Sequence, residues 1–247
     1  MPNTDLIGGF HAVTAALEQD GVAAVWLAEK RHDARSRTLI EYAERQNAVV
    51  HIVDMATLDA MLPDVRHQGC VAELKALKAW RESELPGVLA TVESPWVLAL
   101  DQVQDPHNLG ACMRSAAAAG VSAVIAPRKR AAGLTPVVRK VAVGAVERVP
   151  FVPVTNLTRA IKRLQDDGFW AVGLVGGADQ CIYDIDLRGP RVLVLGGEAK
   201  GLRALTAQTC DSLAAIPMHN NMDSLNVSVA AGVALFEAVR QRGGAGA

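Results

Sequence analysis

The sequence predicts an α/β protein of two parts, a small α/β unit followed by a larger domain built on a parallel sheet. Three observations lead there. Short apolar runs alternate with helical patterns along most of the 247 residues, as expected when helices cover a sheet. In the second part these runs are apolar almost throughout, the signature of strands buried on both faces. Between the parts, LKALKAWRESELPGVLATVESP mixes charges, two prolines and a glycine without a buried pattern. This places a unit at 1–75, a linker at 76–94 and a second domain at 95–247.

In the first unit, Phe10 to Gln19 and Ala34 to Gln46 have helical spacing, and Met55 to Met61 makes a short third helix. VAAVWLA (22–28), VVHIV (49–53) and GCVAEL (69–74) read as strands. In the second domain WVLAL (96–100), AVIA (123–126), WAVGLV (170–175), RVLVLGG (191–197) and LAAIPM (213–218) are the buried strands. Helical patterns span Leu109 to Ala119, Leu134 to Val143, Leu157 to Asp167, Gly201 to Gln208 and Asn226 to Arg240. The tail GGAGA has no structure-forming pattern.

Composition excludes some functions. No apolar run is long enough to cross a bilayer, and the first residues lack a basic-then-apolar export layout. Cys70, Cys112, Cys181 and Cys210 are widely spaced, which argues for reduced thiols in a cytoplasmic protein and against a zinc or redox pair. The six histidines have no ligand spacing, so no metal is expected. A net charge of −1 is at odds with a uniformly basic nucleic-acid binder. The cations are nevertheless clustered, at Lys30, Arg31, Arg35 and Arg37 and again at Arg128, Lys129 and Arg130. A local patch suffices for phosphate.

Open parallel sheets bind ligands beyond the carboxyl ends of their strands, so the loops there carry most information. Three stand out: LDQVQDPHNLGACMRSA, VLVLGGEAKGLR and AIPMHNNMDSLNVSVA. The second has the glycine spacing of a phosphate loop, but Leu202 and Arg203 follow where lysine and a hydroxyl residue are required. Neither it nor GLVGGAD at Gly173 contains a dinucleotide fingerprint, which removes a nucleotide-dependent oxidoreductase. In the other two loops Asn108, and Asp223 or Ser224, are placed to cap the helices that follow.

Taken together, NLGACMRSA (108–116), LGGEAKGLR (195–203) and Pro217 followed by SLNVSVA (224–230) resemble the three signature motifs of the SPOUT methyltransferases, in the TrmH branch of RNA ribose 2′-O-methyltransferases. The likeness runs from Trp96 to Arg242. GFHAVTAAL, HQGCVAEL (67–74) and FEAVRQR (236–242) extend it to nearly the whole chain, and are similar to bacterial enzymes that act on a guanosine of 23S rRNA. HNNMD (219–223), and Ala199 with Lys200, depart from the family pattern.

The resemblance implies a carboxyl-terminal domain tied in a deep trefoil knot, a rare exception to the rule against knotted chains. It implies an amino-terminal RNA-binding unit of ribosomal-protein-like fold, and a homodimer joined through the knotted domain. The implied cofactor is S-adenosylmethionine and the implied substrate 23S rRNA, at guanosine 2251 in standard numbering. A tRNA ribose, or an RNA-binding assembly factor without activity, is the alternative. Carried over by motif, Arg114, Asn108, Glu198, Ser224 and Asn226 form the catalytic set, with Glu198 anchoring Arg114 or a neighbouring loop. Gly196, Gly197, Gly201, Ile216, Pro217 and Leu225 line the cofactor pocket. Val229, Val233 and Phe236 on the last helix belong either to the core or to the dimer interface.

Overall fold

The computed structural model describes residues 6–18, 21–29, 33–75, 78, 80–198, 201–220 and 224–243. Several expectations fall on other residues: the cations Lys30 and Arg31, the helix end at Gln19, Ala199 and Lys200, the cap candidate Asp223, and most of the terminal glycine-rich tail. The chain divides into two units, Met1–Lys78 and Ala79–Ala247.

The first unit contains β1 (Leu6–Gly8), α1 (Phe10–Glu18), β2 (Val22–Ala28), α2 (Ala34–Arg45), β3 (Val49–Val53), α3 (Met55–Met61) and β4 (Cys70–Leu74). Its sheet has the order β1-β4-β2-β3, with β2 and β3 parallel and the other pairs antiparallel. Alternation along β2 sends Val25 and Leu27 toward α1 and α2, where Val13, Leu17, Leu39 and Ala43 bury against them. Trp26 and Ala28 point to the other face, which Leu58 of α3 partly covers. Asp33 and Asp54 cap α2 and α3 by accepting from the amides of Ser36 and Thr57.

The second unit opens with a short 3-10 turn at 82–84 and α4 (Leu85–Leu89), inside the stretch read from the sequence as linker. Leu85 and Leu89 are buried in the core of this unit. Their two apolar side chains are too few to make a helical pattern visible among the surrounding charges. There follow β5 (Trp96–Asp101), α5 (Pro106–Ala118), β6 (Ala123–Pro127), α6 (Pro136–Ala142), α7 (Ala145–Arg148), β7 (Phe151–Val154) and α8 (Leu157–Asp166). Then come β8 (Trp170–Leu174), β9 (Gln180–Cys181), β10 (Arg191–Gly196), α9 (Ala204–Thr209), β11 (Ser212–Ala215) and α10 (Val227–Gln241).

All seven strands are parallel, in the order β7-β6-β5-β10-β8-β11-β9. Val97, Ala99, Ile125, Val192 and Val194 pack under α4 and α8. The alternate residues Leu98, Leu100, Val124 and Leu193 are equally buried and face the side where α5, α6, α7 and α10 pack. The five predicted strands are therefore present as a parallel sheet. The two absent from the sequence reading, β7 and β9, are its two edges. β7 is short and contains Pro153, which an edge position tolerates, and β9 has only two residues.

The last predicted strand, 213–218, stops at Ala215. Ile216 to His219 belong to no helix or strand. That early end matters for the site.

Candidate functional site

The three polar loops converge at the carboxyl edge of the sheet. The first leaves β5 at Asp101, whose carboxylate is fully buried. Arg203, just past the second loop, grips it: Arg203 Nε donates to Asp101 Oδ1 at 2.8 Å, and its backbone N–H donates to Oδ2 at 3.1 Å. A buried carboxylate needs such a partner, and the forked guanidinium satisfies both oxygens. This clasp joins the first loop to the second, and sequence reasoning misses it. Its only trace in the sequence is an aspartate closing a strand that is otherwise apolar.

The second loop, 196–201, folds back on itself through a Gly197–Gly201 bridge, with Gly201 N–H donating to Gly197 O at 3.0 Å. A Cβ on Gly196 would lie 2.0 Å from the Gly201 carbonyl carbon. One on Gly197 would lie 2.3 Å from Gln102 O. Both contacts are impossible for a side chain, so these glycines are required by backbone approach as well as by any ligand.

The sequence points to Asn108 as the cap of α5. The cap is instead Asp105, whose Oδ1 accepts from His107 N–H at 2.9 Å, with Pro106 as the first helical residue. The Asn108 side chain is thereby released from capping. The last helix has a similar correction: its cap is not Ser224 but Asn226, whose Oδ1 accepts from Ser228 N–H at 2.9 Å and from Ser228 Oγ at 2.7 Å.

These two asparagines form a directional relay. Because Asn226 Oδ1 serves the helix, its Nδ2 is left to donate to Asn108 Oδ1, at 3.0 Å. Asn108 Nδ2 then donates to Glu198 Oε1. Each amide is oriented by the one before it, and a carboxylate, which only accepts, ends the chain. Motifs one, two and three are thus coupled through one residue each.

Behind the relay the Cys112 thiol is buried, and burial pushes it up to about 12, the nearby Glu198 charge adding to the effect. Such a thiol stays protonated and is no nucleophile.

Beside the relay lies a cleft of about 340 Å³ at the ends of β8 and β10, a volume in the range of small-molecule sites. It is lined by Gly196, Gly197 and Gly201, by Ile216 and Leu225, and by Glu198 and Ser224. Pro217 is exposed and is not part of the lining. Leu174, Val175 and Gly176 also line the cleft, as do Met218, Val227 and Ala230. The GLVGGAD turn therefore borders the site although it matches no nucleotide fingerprint. Among the described residues, no backbone hydrogen bond involves 216–218. The Ile216 and Met218 amides and the carbonyls of 216–218, beside apolar walls, suit the edge and face of a heterocyclic base.

Arg114 stands apart. It lies six residues after Asn108 on α5, which turns it about 120° away around the helix. Its side chain is exposed, and among the described residues it has no hydrogen-bond or ion-pair partner. Glu198 holds Asn108, not Arg114. Val229 and Phe236 on α10 are half exposed, at 51% and 50%, so neither belongs to this chain's core. Among the described residues no group of three or more His, Cys, Asp or Glu side chains is arranged to hold a metal, and no helix is long and apolar enough to cross a membrane.

Comparison with known proteins matches residues 95–236 to the SpoU rRNA Methylase family and residues 6–80 to the RNA 2′-O ribose methyltransferase substrate binding family. A Pectobacterium atrosepticum protein named 23S rRNA (guanosine-2′-O-)-methyltransferase RlmB is 47% identical, over 98% of this chain and 100% of its own length. The protein of the same name from Pseudomonas putida is 49% identical over 98% of each. The AdoMet complex of the SpoU methyltransferase AviRb from Streptomyces viridochromogenes has the same fold, with a TM-score of 0.74 at 23% identity, covering 96% of this chain and 90% of that one.

The relay makes a test that a simple helix cap would not pass. Aspartate caps as well as asparagine, so Asn226→Asp should leave an ordinary cap unharmed. Here it sets a carboxylate against Asn108 Oδ1, and turning the Asn108 amide over only moves the acceptor clash to Glu198. We expect Asn226→Asp to cost about 1 kcal/mol in urea unfolding at pH 7. The clash favours the protonated form of the new carboxyl in the folded state, so the loss should shrink as pH falls and the carboxyl takes up a proton it can donate. Equal stability of variant and wild type at pH 7 would contradict the relay.

Proposed function

Because the chain belongs to the SpoU rRNA methylase family, we propose that it transfers a methyl group from S-adenosylmethionine to the ribose 2′-hydroxyl of a guanosine in 23S rRNA, with guanosine 2251 as the position. The observation that carries this reading is a cleft lined by the second and third loops and the 174–176 turn, with the first loop joined to its rim through the Asn226–Asn108–Glu198 relay. The cleft fits the cofactor in kind: apolar walls for a purine and the methylene groups of its methionine chain, and unpaired backbone groups at 216–218 for a base edge. When bound, S-adenosylmethionine supplies an electrophilic methyl carbon on a sulfonium, which needs no metal.

The chain's own residues have two tasks, to hold the ribose oxygen in line with the methyl group and to ease loss of its proton. Positioning alone supplies a large share of such a barrier. The backbone of 196–201 and 216–218, with Leu225, holds the cofactor, while Ser224 and the Asn226–Asn108–Glu198 relay set the polar rim that meets the ribose. Arg114 binds the adjacent phosphate or the developing alkoxide. A guanidinium remains protonated at neutral pH, so it acts as an electrostatic stabiliser and not as the base.

Arg114 faces away from the relay of its own chain. The reading that fits this is a homodimer in which Arg114 is delivered across the interface, with Val229, Val233 and Phe236 of α10 in the contact. We take the knotted carboxyl-terminal region implied by the family to form that interface. The amino-terminal unit holds the RNA, and the protein works in the cytoplasm during ribosome maturation.

Incubation with labelled S-adenosylmethionine and either unmodified 23S rRNA or tRNA tests the reaction. We expect 2′-O-methylguanosine in 23S rRNA alone, mapped to one position. Label in tRNA only would move the activity to another RNA, and cofactor binding without transfer to either would leave an inactive binding protein. Delivery of Arg114 across the dimer has its own test. Arg114→Ala and Glu198→Gln should each be nearly inactive, yet co-refolded in equal amounts they should recover about a quarter of wild-type turnover, since half the dimers carry one intact site. No recovery would place Arg114 in its own chain's site.

A further inference from the structure

The cations Arg128, Lys129 and Arg130 follow β6 and leave the sheet at its carboxyl edge, beside β5 and the motif-one loop. All three are exposed, and the loop carrying them is tied down on both sides. On one side Arg128 N–H donates to Val154 O at 2.9 Å and Arg128 Nε to Pro153 O at 3.2 Å, anchoring it to β7. On the other, Ala132 N–H donates to Val103 O at 2.8 Å and Gln104 Nε2 reaches Arg130 O at 3.5 Å. Val103 and Gln104 belong to the loop that leads through Asp105 to Asn108. The basic loop is therefore held in fixed register with the start of the relay.

Arg130 has a φ of +63°, in the left-handed region. Glycine adopts this conformation without strain, whereas an arginine there is disfavoured. Unfavourable backbone held by its surroundings is a pointer to function when the side chain itself has no structural partner. Among the described residues neither Lys129 nor Arg130 makes a side-chain hydrogen bond or ion pair. The nearest acid on the motif-one loop, Asp105, is occupied in capping α5. Two unpaired cations on a loop pinned to the motif-one loop remain unexplained by the fold.

Resting on the RNA reading above, we infer that Lys129 and Arg130 form a phosphate subsite, which holds the backbone of the RNA strand next to the target ribose. Arg128 is the structural member of the trio, its Nε donating to Pro153 O. The subsite acts on RNA binding and register and does not touch the cofactor. On a chain of net charge −1, it concentrates the attraction where the ribose must be presented, so that phosphate contacts position the strand for chemistry.

The test uses the full-length protein and unmodified 23S rRNA transcript, binding being measured across a salt series. In Lys129→Gln/Arg130→Gly the glycine removes a charge and relieves the strained backbone, so the melting temperature should not fall. We expect RNA affinity to drop about tenfold at low salt, and the slope of log K against log salt to flatten by about 1.5, as for two lost phosphate contacts. KM for RNA should rise with kcat at saturating RNA little changed, and S-adenosylmethionine affinity should match wild type. A charge-matched variant elsewhere on the second unit, Arg148→Gln/Lys162→Gln, should leave the slope near its wild-type value. An unchanged slope in the first variant, or equal flattening in both, overturns the subsite. A wild-type protein that binds no RNA overturns the RNA reading, and the subsite with it.

Discussion

The cap of the last helix sets the polarity of the whole polar cluster. Asn226 commits its carbonyl oxygen to the amide and hydroxyl of Ser228, which leaves only its amide nitrogen for Asn108. Asn108 can then present only its own nitrogen to Glu198. A local requirement of helix formation, satisfying an orphan amide at the first turn, is thus passed through two side chains to a carboxylate on a different loop. The three motifs, distant in sequence, hold one another in a single arrangement of donors and acceptors.

Backbone proximity supports that arrangement from beneath. The second loop folds so tightly on itself that Gly196 has no room for a Cβ, and lies so close to the first loop that Gly197 has none either. The buried Asp101–Arg203 pair locks the same two loops from the other side. Rigid loops of this kind keep a site pre-organised, so that binding a ligand costs little further ordering. The basic loop at 128–130 is fastened to the same first loop, which extends the ordered surface outward from the cleft.

Much of this is legible in the sequence, and the gaps have physical reasons. Strands buried on both faces announce themselves as apolar runs, so β5, β6, β8, β10 and β11 are readable. The edge strand β7 is buried but short and interrupted by Pro153, and β9 has only two residues, so neither leaves a pattern. Ile216 continues the apolar run of β11 in sequence, but the strand ends at Ala215, because Ile216 and Met218 line a cleft instead of pairing with a neighbouring strand. Family motifs locate Asn108, Glu198 and Asn226, yet their hydrogen-bond order depends on which residue caps each helix. That is a choice among adjacent polar residues that spacing alone leaves open. The Asp101–Arg203 clasp spans 102 positions, and no local rule connects its ends. The separation of Arg114 from the relay stems from helix geometry, since six residues do not return to the same face.

A cleft lined by the second and third loops and the 174–176 turn, beside a polar rim, is the centre of the functional reading. Amide hydrogen exchange with and without S-adenosylhomocysteine tests this most directly. Exchange should slow at 174–176, 195–198, 201–202, 216 and 218, which line the cleft, with no change across 6–75. Protection confined to other segments, or none at 216–218 when the ligand is bound, would contradict it.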